Sequence, residues 1–104
     1  MRFIETSVFT KDIRDILPDE DFRRFQTVLL LRPAVGDLIQ HSGGLRKIRW
    51  SRPGEGKRGG LRIIYYWDPP DTIYLLLVYA KSVQEDLTAL QLKIVKRLLK
   101  ECLK

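Results

Sequence analysis

The sequence has only one cysteine and one histidine among its 104 residues. A single thiol, Cys102, excludes an intramolecular disulfide. We expect it to be a structural thiol on a C-terminal helix. The single histidine, His41, has no second His or Cys at metal-ligand spacing, which argues against a zinc site. We expect His41 in a surface loop, and a role as general acid or base is the less favoured alternative.

Long apolar runs are also missing from the sequence. The longest, Ile73 to Ala80, has the length of a strand and is too short to cross a bilayer. The N-terminal residues lack the apolar run of a secretory signal peptide. We therefore expect a cytoplasmic protein without membrane contact. The length is sufficient for one hydrophobic core, which predicts a single domain over residues 1–104.

Positive charge is the property that the sequence has in excess, and it is concentrated in the segment Gly43–Trp67. The chain has 19 basic and 13 acidic residues and a formal charge of +6. Seven of the bases and one of the acids lie in this segment, so the rest of the chain is balanced. Localised positive charge attracts polyanions. A nucleic-acid surface is the favoured interpretation, and a merely solvated sheet face is the alternative.

Two helices are predicted before this segment. A hydroxyl at Thr6 or Ser7 provides the N-cap of the first, which ends before Pro18. The second begins at Pro18, where three acids face the positive end of the helix dipole, and ends before Pro33. So short a connection predicts an antiparallel helical hairpin. From Pro33 to Gly44 we expect a loop.

Strands are expected on both sides of these helices, at Arg2–Glu5, Leu45–Trp50, Leu61–Trp67 and Thr72–Ala80. Alternation places Ile48 and Trp50 on the opposite face of their strand from Lys47 and Arg49. The last strand is almost entirely apolar, which is typical of a central strand. Residues 51–60 are predicted to form a loop, and residues 68–71 a hairpin turn.

A third helix is predicted from the capping-box pattern of Thr88 and Gln91. Its expected inward stripe consists of Leu90, Ile94, Val95, Leu98 and Cys102. The element order is β-α-α-β-β-β-α, which predicts an α+β fold.

Three pieces of the chain carry a family resemblance: GGLRKIRW, GKRGGLRIIYYW and IYLLLVYAKSVQEDLT. Together they closely resemble the HigB-like branch of the RelE/ParE toxin superfamily. The resemblance implies a RelE-like fold, in which an N-terminal strand and a helical hairpin pack on a twisted, mainly antiparallel sheet, with a C-terminal helix. It also implies the toxin half of a type II toxin–antitoxin pair that cleaves mRNA in the ribosomal A site. The implied partner is a cognate antitoxin, usually a HigA-like helix-turn-helix protein.

The resemblance also implies the site residues. The catalytic candidates are Arg62, Lys81, Lys57 and Lys47. The resemblance extends to Arg49, and the positive charge of the segment adds Arg46, Arg52 and Arg58 as candidates for contact with RNA or the ribosome. Tyr66 and Tyr79 are candidates for base stacking, with core packing as the alternative. The family uses no metal or other cofactor. Ser82 stands where ribosome-dependent relatives can have an arginine, and the resemblance assigns no general base.

The expected chemistry is attack of an RNA 2′-OH on its own phosphate. Arg62 is the expected phosphate clamp, because a planar guanidinium can bind two phosphate oxygens at once. A lysine surrounded by other cations loses its proton more readily, so Lys81 or Lys57 is the expected acid or base. Two alternatives remain open: a ParE-like toxin that inhibits gyrase, and a non-catalytic nucleic-acid-binding module.

Overall fold

The computed structural model describes residues 1–51 and 60–103. The elements are β1 (Arg2–Glu5), α1 (Ser7–Ile16), α2 (Asp19–Leu31), β2 (Asp37–Leu38), β3 (Arg46–Ser51), β4 (Gly60–Asp68), β5 (Thr72–Ala80) and α3 (Ala89–Cys102). The predicted strands and helices are confirmed, and so is the α+β class. The prediction of an uninterrupted loop from Pro33 to Gly44 is wrong, because β2 pairs antiparallel with β3 there.

The strands form one open, mixed sheet in the order β1-β5-β4-β3-β2. β1 runs parallel to β5, and the other neighbours are antiparallel. The predicted turn at residues 68–71 joins β4 to β5. β5 is flanked by β1 and β4, which explains its almost continuous apolar sequence.

The start of α1 is fixed by one hydroxyl. The Thr6 side chain accepts a hydrogen bond from the Phe9 N–H at 3.1 Å, as an N-cap should. The same hydroxyl donates to the Leu76 carbonyl at 2.8 Å, which ties the helix to β5. α2 begins after Pro18, with Asp19, Glu20 and Asp21 in its first turn, as the sequence predicts.

The sheet has a hydrophobic core on each face. The first core contains apolar side chains of α1 and α2 packed on β3–β5, and its fully buried members include Phe9, Phe25, Ile63 and Leu75. The second core is smaller and lies under α3, with Leu45, Ile64, Leu76, Val95 and Leu99 among its buried members. The sheet is thus covered on both sides, although α3 contacts mainly β5.

The predicted inward stripe of α3 is partly wrong. Val95 and Leu99 are buried, whereas Leu90 is 66% and Ile94 49% exposed. The helix carries two neighbouring apolar stripes, and helical periodicity cannot decide which of them meets the sheet. Cys102, on the buried side, packs half-buried against the second core, as expected of a structural thiol.

His41 is exposed in the turn after β2, which confirms the expected surface loop. Its backbone has a φ of 59°, and its carbonyl accepts a hydrogen bond from Lys96 Nζ at 3.1 Å. Within the described ranges, no helix has the length and apolar character needed to cross a bilayer.

Candidate nucleic-acid interface

Three cations meet on the face of the sheet that carries the second core. In the β3–β4 register Arg49 lies opposite Arg62, and Lys47 lies opposite the buried Ile64. Ile48 and Trp50 belong to the first core, so the predicted separation of faces is confirmed. We refer to Lys47, Arg49 and Arg62 as the basic cluster. Alternation along two paired strands is sufficient to bring these charges together.

Arg62 is the buried member of the basic cluster. Its side chain is 7% exposed, and its Nε has no hydrogen-bond partner among the described residues. Tyr79, its direct partner on β5, is 8% exposed, and its hydroxyl also has no partner there. Buried donors without partners are costly, and native structures keep few of them. The Arg62 Nε and the Tyr79 hydroxyl are two adjacent donors without described partners, and such a pair is suited to binding an anionic ligand.

The environment of Tyr79 keeps its phenol protonated. Burial raises the pKa of Tyr79 above its ordinary value of 10.0, and the nearby Asp86 carboxylate raises it further. The Arg62 charge opposes both effects without overcoming them. At neutral pH the Tyr79 hydroxyl is therefore a hydrogen-bond donor and not a proton acceptor.

Asp86 is the site residue that sequence reasoning missed. It lies in the connection between β5 and α3, where Lys47 Nζ donates to its Oδ1 at 2.8 Å. This hydrogen bond and the Lys47 charge lower the pKa of Asp86, and Arg62 and Arg49 lower it further. The cluster therefore already holds one anionic group, supplied by the chain itself.

Hydrogen bonds to the start of α3 fix the position of this connection. Gln84 Nε2 donates to the Asp86 carbonyl at 2.9 Å and to Gln91 Oε1 at 2.7 Å. Gln91 Nε2 donates back to Gln84 Oε1 at 3.1 Å. The predicted capping box of Thr88 and Gln91 is present in full. The first turn of α3 thus holds Asp86 beside the basic cluster.

Arg46, expected to contact RNA, lies apart from the basic cluster. Its strand partner is Tyr65, which belongs to the first core. Its guanidinium donates to the carbonyls of Ala34 at 3.1 Å and Gly36 at 2.7 Å. These contacts connect the turn before β2 to β3. The position of the Arg46 guanidinium is therefore explained by its role in the fold.

Lys81 and Tyr66 occupy the margins of the same face. The Lys81 N–H donates to the Gly60 carbonyl at 2.9 Å, which extends the β4–β5 ladder by one residue. Tyr66 packs half-buried against the second core, with its ring centroid 6.4 Å from that of Tyr74. A Cβ added at Gly44 would lie 3.1 Å from the Tyr66 ring, so the backbone at Gly44 lies close to one edge of this ring. The remaining candidates Arg52, Lys57 and Arg58 lie outside the described residues.

In the described part of the chain, no three His, Cys, Asp or Glu side chains are grouped so that they could hold a metal ion. No known protein-family model matches the sequence.

Proposed function

We propose that the chain is the toxin of a type II toxin–antitoxin system, a cytoplasmic mRNA endonuclease that acts on the ribosome. The proposal includes a RelE-like fold of the HigB-like branch and metal-independent chemistry. One observation carries it. The nearly buried Arg62 has an unpartnered Nε beside the unpartnered Tyr79 hydroxyl among the described residues, and Lys47 and Arg49 flank them.

An RNA phosphate fits the chemistry of this site. Arg62 can present a planar pair of N–H donors to two phosphate oxygens, and its low exposure strengthens the interaction. Tyr79 can donate a further hydrogen bond, since its phenol stays protonated. Arg49 is exposed and adds positive potential beside Arg62. The Asp86 carboxylate competes with the phosphate for Lys47, so binding releases this lysine to the RNA.

In the proposed reaction the 2′-oxygen forms a bond to phosphorus, and the bond from phosphorus to the 5′-oxygen breaks. Arg62 and Tyr79 stabilise the charge that develops on the phosphate oxygens. Lys81, at the end of β5, is the proposed proton donor to the leaving 5′-oxygen. Asp86, which contacts the basic cluster through Lys47, is the proposed acceptor of the 2′-OH proton, and its lowered pKa makes it a weak base.

Because the base is weak, much of the rate acceleration must come from the positioning of the 2′-OH and the phosphate. A codon held in the ribosomal A site can be fixed in the in-line geometry. In the best intramolecular reactions, such positioning lowers the barrier by about 7–11 kcal/mol. Free RNA offers little of this advantage. We therefore assign the exposed positive charge mainly to docking on ribosomal RNA. The proposed inhibitor is a HigA-like helix-turn-helix antitoxin.

A cell-free translation reaction with mapped mRNA ends tests the proposal. The expected result is loss of reporter synthesis together with new 5′ ends inside the coding region. Loss of synthesis without new ends would contradict the nuclease proposal. Inhibition confined to supercoiling by purified gyrase would favour the ParE-like alternative. RNA binding without either effect would favour a non-catalytic module.

A further inference from the structure

A groove of about 400 Å³ lies between α3 and the first turn of α1. Its lining is mostly aliphatic and includes Val8, Leu77, Ile94, Val95 and Leu98. None of the basic-cluster residues lines it. Binding in the groove is therefore independent of whether the basic cluster cleaves RNA.

Exposed aliphatic side chains extend the groove along α3. Leu90, Ile94 and Leu98 are spaced four residues apart, so they form one stripe on the helix. Leu90 is 66% and Ile94 49% exposed, although such side chains are usually buried. Contiguous apolar surface of this kind marks interaction sites. A stripe at helical spacing is complementary to the apolar face of a second helix.

One border of the groove, along α3, is positively charged. Lys93, Arg97 and Lys100 are exposed on the neighbouring stripe of α3, and none of them forms an ion pair with a described residue. This border favours negative side chains on whatever covers the groove.

We propose that this groove binds an amphipathic helix of another protein, with its apolar side in the groove and an acidic polar side against α3. RNA fits less well, because the named lining residues are aliphatic and offer no ring on which a base can stack. A second copy of the chain fits less well too, since each copy carries a formal charge of +6. Acidic residues on the partner helix would also raise its association rate.

A designed peptide pair tests the proposal directly. One helical peptide of about 18 residues, long enough to form a helix, carries Leu at positions i, i+3, i+4 and i+7 and Glu elsewhere. The other has Lys in place of Glu. By fluorescence anisotropy with the full-length protein, we expect the acidic peptide to bind about tenfold more tightly than the basic one or better. Ile94→Ser and Leu90→Ser should each weaken acidic binding about tenfold, as loss of an interface anchor does.

Two matched variants locate the binding. Leu31→Ser removes a side chain that is 77% exposed on α2, and Arg49→Ala removes a charge from the basic cluster. Both should leave the peptide affinity unchanged. The proposal is overturned if the two peptides bind equally, or if either control weakens binding as much as Ile94→Ser. It is equally overturned if the groove variants only convert a dimer to a monomer in sedimentation, because a second copy would then be the occupant.

Discussion

Arg62 is a charged side chain at a position where the neighbouring strand residues are apolar. It lies between Leu61 and Ile63, both fully buried, and is itself 7% exposed. A charge kept in such a place without a described partner for its Nε costs stability unless a ligand uses it. We therefore assign it to function rather than to the fold.

We predict that Arg62→Ala abolishes growth inhibition in cells and lowers mRNA cleavage about 100-fold or more, as does loss of a donor that stabilises a transition state. Circular dichroism and thermal unfolding should show that the variant is folded. Arg23→Ala, which removes an exposed cation from α2, is the matched control and should remain toxic. A folded Arg62→Ala protein with full toxicity would remove Arg62 from the catalytic set.

Tyr65 and Tyr79 allow a hydroxyl that stabilises the fold to be compared with one that we assign to RNA cleavage. The Tyr65 hydroxyl donates to the Pro33 carbonyl at 2.8 Å and accepts from the Gly36 N–H at 2.9 Å. The Tyr79 hydroxyl has no partner among the described residues. Tyr65→Phe should therefore lower the free energy of unfolding by about 1–3 kcal/mol, since it leaves a buried N–H unsatisfied. Tyr79→Phe should change it by less than about 0.5 kcal/mol and should nevertheless reduce mRNA cleavage.

The measurements are urea unfolding and cleavage of a reporter mRNA for both variants. The opposite result, a destabilised Tyr79→Phe protein with normal cleavage, would mean that the Tyr79 hydroxyl serves the fold alone.

At the scale of elements, the connection between β5 and α3 carries the carboxylate of the site. We predict that Asp86→Asn binds a short RNA a few-fold more tightly at low salt, because an anion that competes for Lys47 is removed. The gain should shrink as salt rises, since salt screens exposed charges. Weaker RNA binding by Asp86→Asn would show instead that the carboxylate organises the site.

The lowered pKa of Asp86 also predicts how the stability depends on pH. A carboxyl whose folded-state pKa lies below its ordinary value of 3.8 stabilises the fold above that pH. The contribution is lost as the pH falls through the folded-state value. Wild type should therefore exceed Asp86→Asn in free energy of unfolding at pH 7, and the difference should vanish at lower pH. A difference that grows on acidification would contradict the assigned ion pair with Lys47.

The start of α3 holds this connection in place through its capping box. Thr88→Ala removes the side chain that accepts from the Gln91 N–H at 3.1 Å. We expect a loss of about 1 kcal/mol in the free energy of unfolding, typical for an N-cap. Chemical denaturation measures it. Thr27→Ala, which removes an exposed hydroxyl inside α2, is the control and should cost less.

Local patterns predicted most of the elements, because caps, prolines and strand alternation act over a few residues. The same alternation predicted that Lys47 and Arg49 point away from Ile48 and Trp50. What it could not predict was contact across the chain. Asp86 is far from Lys47 in sequence, and only the path of the connection brings them together. For the same reason, the sequence could not show which of the two apolar stripes of α3 packs against the sheet.

At the scale of the molecule, positive side chains of the described residues form two separate surfaces. The basic cluster lies on β3 and β4, and the cations beside the apolar groove lie on α3. The first suits a nucleic-acid backbone, and the second suits an acidic protein helix. A net charge of +6 on a chain of this size favours rapid association with both kinds of anionic partner.

The central claim is that positioning by the ribosome replaces a strong base. The most direct test compares cleavage of one transcript, naked and within a translating complex, at equal enzyme and salt concentrations. We predict cleavage in the translating complex and little or none of the naked transcript. Comparable cleavage of the naked transcript would contradict the claim and would point to a self-sufficient site with a base other than Asp86.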